Sequence, residues 1–175
     1  MSDLQQRLDA TIRDIPDFPK PGILFKDITP VLSDPGLLGD VIDYLAELYH
    51  DKDIDAVVGM ESRGFIFGTP LALSLGTAFV PARKPGKLPY KSVGYEYELE
   101  YGTNRLEMHV DAIKPGQRVL VVDDLLATGG TADATCKLIR QLGGEVVACC
   151  FVVELGFLNG REKLGDVPVE SVIIF

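Results

Sequence analysis

Two adjacent aspartates stand immediately before a run of small residues, and together they could bind a phosphorylated sugar. The sequence from Val121 reads VVDDLLATGGT, so Asp123 and Asp124 follow a strongly apolar stretch. That stretch predicts a strand over Arg118–Val122 that ends at the two aspartates, where open parallel sheets bind their ligands. A helix predicted over Thr131–Leu142 follows, and its N-terminus carries partial positive charge.

The small residues between strand and helix are suited to holding a phosphate group. Small side chains let backbone N–H groups converge on an anion. With a phosphate there, an attached sugar would lie beside the two carboxylates, which accept hydrogen bonds from vicinal hydroxyls. The sequence contains neither GxxxxGK[ST] nor GxGxxG, so it is neither a Walker loop nor a dinucleotide-binding turn. We call this segment the phosphate loop; it consists of Ala127, Thr128, Gly129, Gly130 and Thr131.

Composition excludes several functional classes. The 175 residues include 17 Lys and Arg against 26 Asp and Glu, a formal net charge of −9 that disfavours nucleic-acid binding. No apolar run approaches the length of a membrane span, and we expect no membrane association. The three cysteines, Cys136, Cys149 and Cys150, are odd in number and predict no disulfide framework. With no signal-peptide pattern at the N-terminus, we expect a cytoplasmic protein.

Alternating helix and strand patterns predict an α/β fold. Apolar residues from Leu4 to Ile15 recur at helical spacing, whereas the three prolines of Pro16–Gly22 exclude a helix there. Asp34-Pro35 is a typical helix start. The order of elements predicts a central parallel sheet flanked by helices in one domain, residues 1–175. The remaining predicted strands are Ile23–Ile28, Ala56–Met60, Thr77–Ala82, Val93–Leu99, Arg105–Val110, Val146–Val153 and Val169–Phe175, and the remaining helices are Pro35–His50 and Gly64–Leu75.

The phosphate loop and its two aspartates resemble the phosphoribosyl pyrophosphate (PRPP) signature of the type I phosphoribosyltransferases. Further segments, in order along nearly the whole chain, are similar to the adenine branch of that family. The resemblance implies a parallel sheet with a small hood and a flexible β flap. Lys26 and Lys84 stand where relatives often have arginine, which keeps the charge. The segments are Pro21–Leu32, Glu61–Phe65, Arg83–Pro89, Leu99–Gly102 and Gly160–Leu164.

The resemblance also implies roles for the polar residues. Asp123 and Asp124 would bind the ribose hydroxyls, and the phosphate loop would bind the 5′-phosphate. The pyrophosphate would be held by two segments, and the first of them often contains a cis peptide, here between Glu61 and Ser62. The second would act across a dimer interface, which implies a homodimer. The implied pyrophosphate-binding residues are Glu61, Ser62, Arg63, Arg83, Lys84 and Lys87.

Base binding and catalysis are implied for two further segments. Phe25 would stack on adenine, with Leu24 and Lys26 beside it, because an aromatic face suits a flat purine. Glu100 would be the catalytic carboxylate of the flap, with Tyr101 as its neighbour. From the residues alone, Phe25 cannot be distinguished from a core phenylalanine, which is the default interpretation. Glu100 likewise reads as an exposed glutamate, since Glu96, Glu98 and Glu100 alternate along one strand face.

The resemblance implies Mg²⁺-dependent transfer of a phosphoribosyl group from PRPP to adenine, giving AMP and pyrophosphate in purine salvage. The metal would be bound mainly through PRPP, and no protein side chain is assigned to it. Two alternatives stay open at this point. One is a related enzyme that uses hypoxanthine, guanine or xanthine, and the other is a non-catalytic regulator that senses PRPP.

Overall fold

A computed structural model of the protein describes residues 1–98 and 103–175. Its strands are β1 Arg13–Pro16, β2 Leu24–Asp27, β3 Ala56–Met60, β4 Ala78–Ala82, β5 Ser92–Glu98, β6 Thr103–His109, β7 Arg118–Leu126, β8 Glu145–Glu154 and β9 Val169–Ile174. Its helices are α1 Asp3–Thr11, α2 Thr29–Leu32, α3 Pro35–Tyr49, α4 Gly64–Leu75 and α5 Gly130–Gln141. Two 3₁₀ turns, Gly156–Leu158 and Gly160–Leu164, lie between β8 and β9.

The central sheet determines where a ligand can bind. Among the described residues it has the order β4-β3-β7-β8-β9, and every neighbouring pair is parallel. The chain order runs outward in opposite directions from β3 and β7. In open parallel sheets, ligands bind outside the carboxyl ends of the strands at this reversal point. The segment after β3 and the aspartates of β7 therefore border one crevice.

Helices cover both faces of this sheet, as the sequence predicted. On one face, residues of α3 and α4 such as Val41 and Phe67 pack against Leu120 of β7. On the other face, Leu138 of α5 and Met108 of β6 pack against Val121. Because β7 is buried from both sides, its apolar run is continuous and does not alternate with polar residues.

Local signals define the ends of several helices. Asp34 caps α3, accepting hydrogen bonds from the backbone N–H groups of Gly36 and Leu37 at 3.0 Å each. α4 ends at Gly76, whose φ of 65° is the left-handed conformation that favours glycine. No helix within the described ranges is both long enough and apolar enough to cross a bilayer.

Two small antiparallel sheets stand outside the central one. β1 and β2 form the hood, with Ile15 opposite Phe25. β5 and β6 pair from Ser92–His109 to Glu98–Thr103, and we call this pair the flap hairpin. It packs against α5. Residues 99–102, which include Leu99, lie outside the described residues.

Several predicted boundaries were wrong, and each error has a nonlocal cause. The first helix does not reach Ile15, because residues from Arg13 onward pair with β2 instead. β7 does not end at Val122, because pairing with β8 continues as far as Leu126 opposite Glu154. The aspartates therefore lie within the strand and not beyond it. The predicted bounds of β3 and α4 are confirmed.

Candidate active site

The phosphate loop forms the floor of a cavity at the carboxyl end of the sheet. The cavity, of about 90 Å³, is lined by the whole loop together with Asp123, Met60 of β3 and Phe151 of β8. No side chain caps the N-terminus of α5, which begins at Gly130. The first N–H groups of a helix lack intrahelical partners, so the cavity presents donors suited to an anion.

The backbone of the phosphate loop packs directly against the Gly160–Leu164 turn. Gly129 has a φ of 79°, and a Cβ placed on it would lie 2.2 Å from the carbonyl oxygen of Gly160. A Cβ on Gly160 would in turn lie 2.2 Å from the carbonyl oxygen of Ala127. Both positions therefore require glycine, and the second glycine had no role assigned from sequence.

The two aspartates lie side by side, with Asp124 buried and Asp123 half-buried. The backbone N–H of Asp124 donates to Oδ1 of Asp123 at 2.9 Å, and Asp124 is only 4% exposed. Burial, reinforced by the charge of Asp124, raises the pKa of Asp123 well above its usual range. Burial also raises the pKa of Asp124, although the Arg63 guanidinium opposes that shift. A ligand that donates hydrogen bonds or brings positive charge would relieve this repulsion.

Arg63 brings the segment after β3 to the aspartates. Its Nε lies 2.9 Å from Oδ2 of Asp124. The approach is close because Gly64 packs on β7, where a Cβ would lie 2.6 Å from the carbonyl oxygen of Val122. The peptide bond between Glu61 and Ser62 is cis, as the resemblance implied. Ser62 and Arg63 are both exposed at the mouth of the crevice.

The hood places an aromatic ring beside the same arginine. The Arg63 guanidinium carbon lies 5.8 Å from the ring centre of Phe25, and the Phe18 ring meets Phe25 edge-on at 5.1 Å. Phe25 is half-buried and Leu24 is exposed. The side chain of Lys26 is engaged elsewhere, with Nζ 2.6 Å from Asp14 and 3.8 Å from the ring centre of Phe175. These two contacts anchor the side chain of Lys26 and do not involve its backbone.

The second predicted pyrophosphate segment is tied to the first. Glu61 accepts hydrogen bonds from Nε of Arg83 at 3.2 Å and from the backbone N–H of Lys84 at 2.9 Å. Burial opposes ionisation of Glu61, but these bonds outweigh it and leave its pKa below the usual value. Lys84 and Lys87 are exposed and have no ion pair with the described carboxylates. Glu61 thus positions the arginine, leaving two lysines for an anion.

The predicted catalytic pair, Glu100 and Tyr101, lies outside the described residues. The flap hairpin nevertheless reaches the phosphate loop through Tyr97, whose hydroxyl lies 3.2 Å from Oγ1 of Thr131. Its ring carbons come within 3.6 Å of a Cβ built on Gly130. Sequence reasoning missed Tyr97, although tyrosines alternating with glutamates from Tyr95 onward indicate a strand face turned toward the protein.

The donor set does not form a metal centre within the described residues, since no group of three or more His, Cys, Asp or Glu side chains could hold an ion. Mg²⁺ is commonly bound by one or two carboxylates together with substrate phosphates and water. The aspartate pair fits such partial ligation. The arrangement therefore suits a metal that arrives with a phosphorylated substrate.

The raised pKa of Asp123 predicts a pH-dependent effect on stability. A carboxyl whose folded pKa is raised binds its proton more tightly in the folded state, so the free energy of unfolding falls as pH rises above its unfolded pKa of about 4. Asparagine is neutral throughout. We expect Asp123→Asn to raise the unliganded Tm at about pH 8 and to change it much less at about pH 4. Calorimetry at both pH values checks this; an unchanged Tm at the higher pH would contradict it.

Comparison with known proteins agrees with this geometry at the level of the family. The sequence model of the phosphoribosyl transferase domain matches residues 28–170. The match includes β3, the segment after it, β7 and the phosphate loop. The fold and the cavity of the phosphate loop therefore occur within a phosphoribosyltransferase domain.

Individual relatives indicate which branch of the phosphoribosyltransferases this chain resembles most. The chain is 60% identical to an adenine phosphoribosyltransferase of Chloroflexus aurantiacus, covering 98% of this chain and 99% of that protein. It is 57% identical to that of Myxococcus xanthus, over 96% and 91%. A crystal structure of the Thermoanaerobacter pseudethanolicus enzyme superposes with a TM-score of 0.94 at 53% identity, covering 98% and 99%. The Saccharomyces cerevisiae enzyme, solved with an imino-altritol bisphosphate and adenine, gives 0.93 at 44% identity, over 99% and 100%. The chain belongs to the adenine phosphoribosyltransferase family.

Proposed function

We propose that this protein transfers the 5-phosphoribosyl group of PRPP to adenine, giving AMP and pyrophosphate in purine salvage. The observation that carries the proposal is one connected set of contacts. Asp123 lines the phosphate cavity, Asp124 pairs with Arg63, and Arg63 lies over Phe25. The site thus places side by side the groups suited to a phosphate, a sugar, a pyrophosphate and a flat base. This is the arrangement that PRPP and adenine need in order to react.

In this proposal the phosphate loop binds the 5′-phosphate through the N–H groups at the start of α5. Asp123 and Asp124 accept hydrogen bonds from the ribose 2′- and 3′-hydroxyls. Their position supports the assignment, because Asp123 lines the cavity and Asp124 is buried behind it, so that ribose hydroxyls could donate to carboxylates with little access to water. Phe25 stacks on adenine, and backbone groups of Leu24 and Lys26 read its edge.

The pyrophosphate and its metal would occupy the side of the crevice nearest Arg63. Ser62, Arg63, Lys84 and Lys87 would stabilise the charge that develops on the leaving pyrophosphate, with Arg83 fixed by Glu61. Mg²⁺ would enter as part of the substrate, ligated mainly by phosphate oxygens. Bond breaking at C1 of the ribose leaves positive charge on the sugar as adenine attacks. We propose that Glu100, next to Tyr101 in the sequence, accepts the ring proton that adenine loses as its nitrogen bonds to C1.

We further propose that the protein acts as a homodimer. Helix α4 begins directly after Arg63 and exposes Ile66 and Leu73, which are 40% and 76% exposed. Residues seven apart lie on one helix face, so this is an apolar surface beside the site. A second copy of the chain would cover it. Sedimentation equilibrium that found only monomers would contradict this part of the proposal.

A cytoplasmic location accords with the state of the cysteines. Cys136, Cys149 and Cys150 are unpaired and buried. Burial raises the pKa of Cys150 to about 12, which keeps it as an unreactive thiol.

Replacing Asp124 tests the ribose assignment. Asp124→Asn removes a charged acceptor while keeping the size of the side chain, and hydrogen bonds to charged groups contribute about 1.5–3 kcal/mol. We therefore expect Kd for PRPP, measured by isothermal titration calorimetry, to rise about tenfold or more. Adenine binding should change little. Wild-type affinity for PRPP in this variant would show that the carboxylate does not hold the ribose.

The proposed reaction is tested by incubating the protein with PRPP, Mg²⁺ and one purine at a time. We expect AMP from adenine and far slower product formation from hypoxanthine, guanine and xanthine, which present an oxygen acceptor where adenine presents an amino donor. Faster turnover of one of those three bases would favour the related enzymes. Absence of any nucleotide product, together with PRPP-dependent binding of nucleic acid, would favour a regulator.

A further inference from the structure

The Gly160–Leu164 turn lies against the back of the phosphate loop. The two backbones are in close contact: a Cβ on Gly129 would collide with Gly160, and a Cβ on Gly160 would collide with Ala127. A movement of either segment by one ångström would therefore displace the other. The turn therefore supports the phosphate loop from behind, although it follows the loop by some thirty positions in sequence.

An ion pair between a buried carboxylate and a half-exposed arginine fixes the position of this turn. Glu154, which is 4% exposed, accepts hydrogen bonds from Nε and Nη2 of Arg161, each at 2.6 Å. Nη1 of Arg161 also donates to the carbonyl oxygen of Val169 at 2.9 Å, and Ser171 donates to Glu154 at 2.6 Å. Although burial opposes ionisation of Glu154, these bonds leave its pKa below the usual value. A planar guanidinium that donates to Glu154 and to the carbonyl oxygen of Val169 anchors the turn to β8 and β9.

Two residues beyond this anchor, Lys163 points its ammonium group at the phosphate loop. Its Nζ lies 4.0 Å from the position of a Cβ on Gly130, and its own Cβ lies 3.3 Å from that of Gly129. No ion pair joins Lys163 to the carboxylates of the described residues, whereas Arg161 beside it is fully engaged. The phosphate loop itself contains no basic residue. Lys163 is therefore a cation that the fold brings to the phosphate loop, whose cavity is otherwise lined by loop residues, Asp123, Met60 and Phe151.

We propose that Lys163 binds the 5′-phosphate of PRPP and of AMP, held in place by the Arg161–Glu154 ion pair. The inference rests on the proposed function and adds a residue to the phosphate site. A 5′-phosphate carries nearly two negative charges, and the start of one helix supplies about half a charge. In a protein of net charge −9, an ammonium group beside the loop supplies the missing compensation.

This assignment predicts an effect confined to ligands that carry the 5′-phosphate. We expect Lys163→Met to raise KM for PRPP, and Kd for AMP and for ribose 5-phosphate, about tenfold, because a charge-assisted hydrogen bond is lost. kcat, KM for adenine and Kd for pyrophosphate should stay near the wild-type values. Lys163→Arg should keep most of the affinity, because it retains a cation at the same place.

The matched control is Lys114→Met, which makes the same change of charge on the loop that precedes β7, at the amino end of the strands and away from the phosphate loop. It should leave every constant unchanged. Unaltered AMP and PRPP binding in Lys163→Met would overturn the proposal, as would an equal loss for pyrophosphate. Because these constants come from binding of ribose 5-phosphate and AMP as well as from turnover, they remain interpretable even if adenine proves not to be the substrate. Failure of the wild-type protein to form AMP would instead refute the proposed function.

Discussion

Gly129→Ala is expected to weaken PRPP binding at least 100-fold while the protein remains folded. Alanine at this position is opposed twice, first by the φ of 79° and then by the carbonyl oxygen of Gly160 at 2.2 Å from the new Cβ. Relief of that contact requires the phosphate loop to move by about one ångström. The loss of two N–H bonds to the charged phosphate, at about 1.5–3 kcal/mol each, corresponds to about 100-fold or more in Kd. Isothermal titration calorimetry with PRPP measures the effect directly.

The control for this variant is Gly116→Ala. Gly116 has a similar φ of 83°, but a Cβ on it would meet nothing within 4 Å. Alanine at position 116 therefore meets the same backbone strain, of about 1–2 kcal/mol, without the collision. We expect the two variants to differ slightly in Tm and greatly in PRPP affinity. If Gly129→Ala bound PRPP as tightly as Gly116→Ala, the phosphate would not lie in this loop.

Glu100→Gln is expected to lower kcat about 100-fold with Kd for PRPP unchanged. Proton transfer by a positioned side chain contributes about 10²–10⁴-fold to rate, and glutamine cannot exchange a proton at neutral pH. The loss should appear in the chemical step, because the residue is proposed to act on the purine and not to hold the phosphate or the ribose. Single-turnover kinetics with saturating adenine and PRPP separate this step from product release.

A second glutamate, four positions earlier in the sequence, provides the comparison for Glu100. Glu96 lies on β5 with an exposed side chain, 3.4 Å from Nη1 of Arg105. Glu96→Gln removes the same charge from the flap hairpin, and we expect its kcat to stay within about twofold of wild type, as for other exposed ion pairs. Equal losses in the two variants would assign the effect to flap charge. Undiminished turnover in Glu100→Gln would remove this residue from the mechanism.

Elements with local signals could be predicted from the sequence. An uninterrupted apolar run determines β3, and Gly76 ends α4 because only glycine readily adopts its left-handed conformation. The length of β7 could not be predicted in the same way. Its last residues are strand because β8 pairs with them, and no property of Leu125 or Leu126 alone reveals that pairing.

The candidate site also has a part with a local sequence signal and a part that depends on contacts between distant residues. The aspartates and the phosphate loop form one continuous pattern, so their neighbourhood was predictable from spacing. The contacts of Arg63 with Asp124, of Tyr97 with Thr131 and of Lys163 with the loop join distant parts of the chain. Each contact depends on how separate elements pack, and a single sequence contains no signal for that packing.

The most direct measurement is a crystal structure of this protein with AMP, which carries phosphate, ribose and adenine together. The expected result has the phosphate within hydrogen-bond distance of the backbone N–H groups of Gly130 and Thr131 and near Nζ of Lys163. The ribose hydroxyls should contact Asp123 and Asp124, and adenine should stack on Phe25. A phosphate bound at Arg83–Lys87 with the loop cavity empty, or a base away from Phe25, would contradict the proposed site.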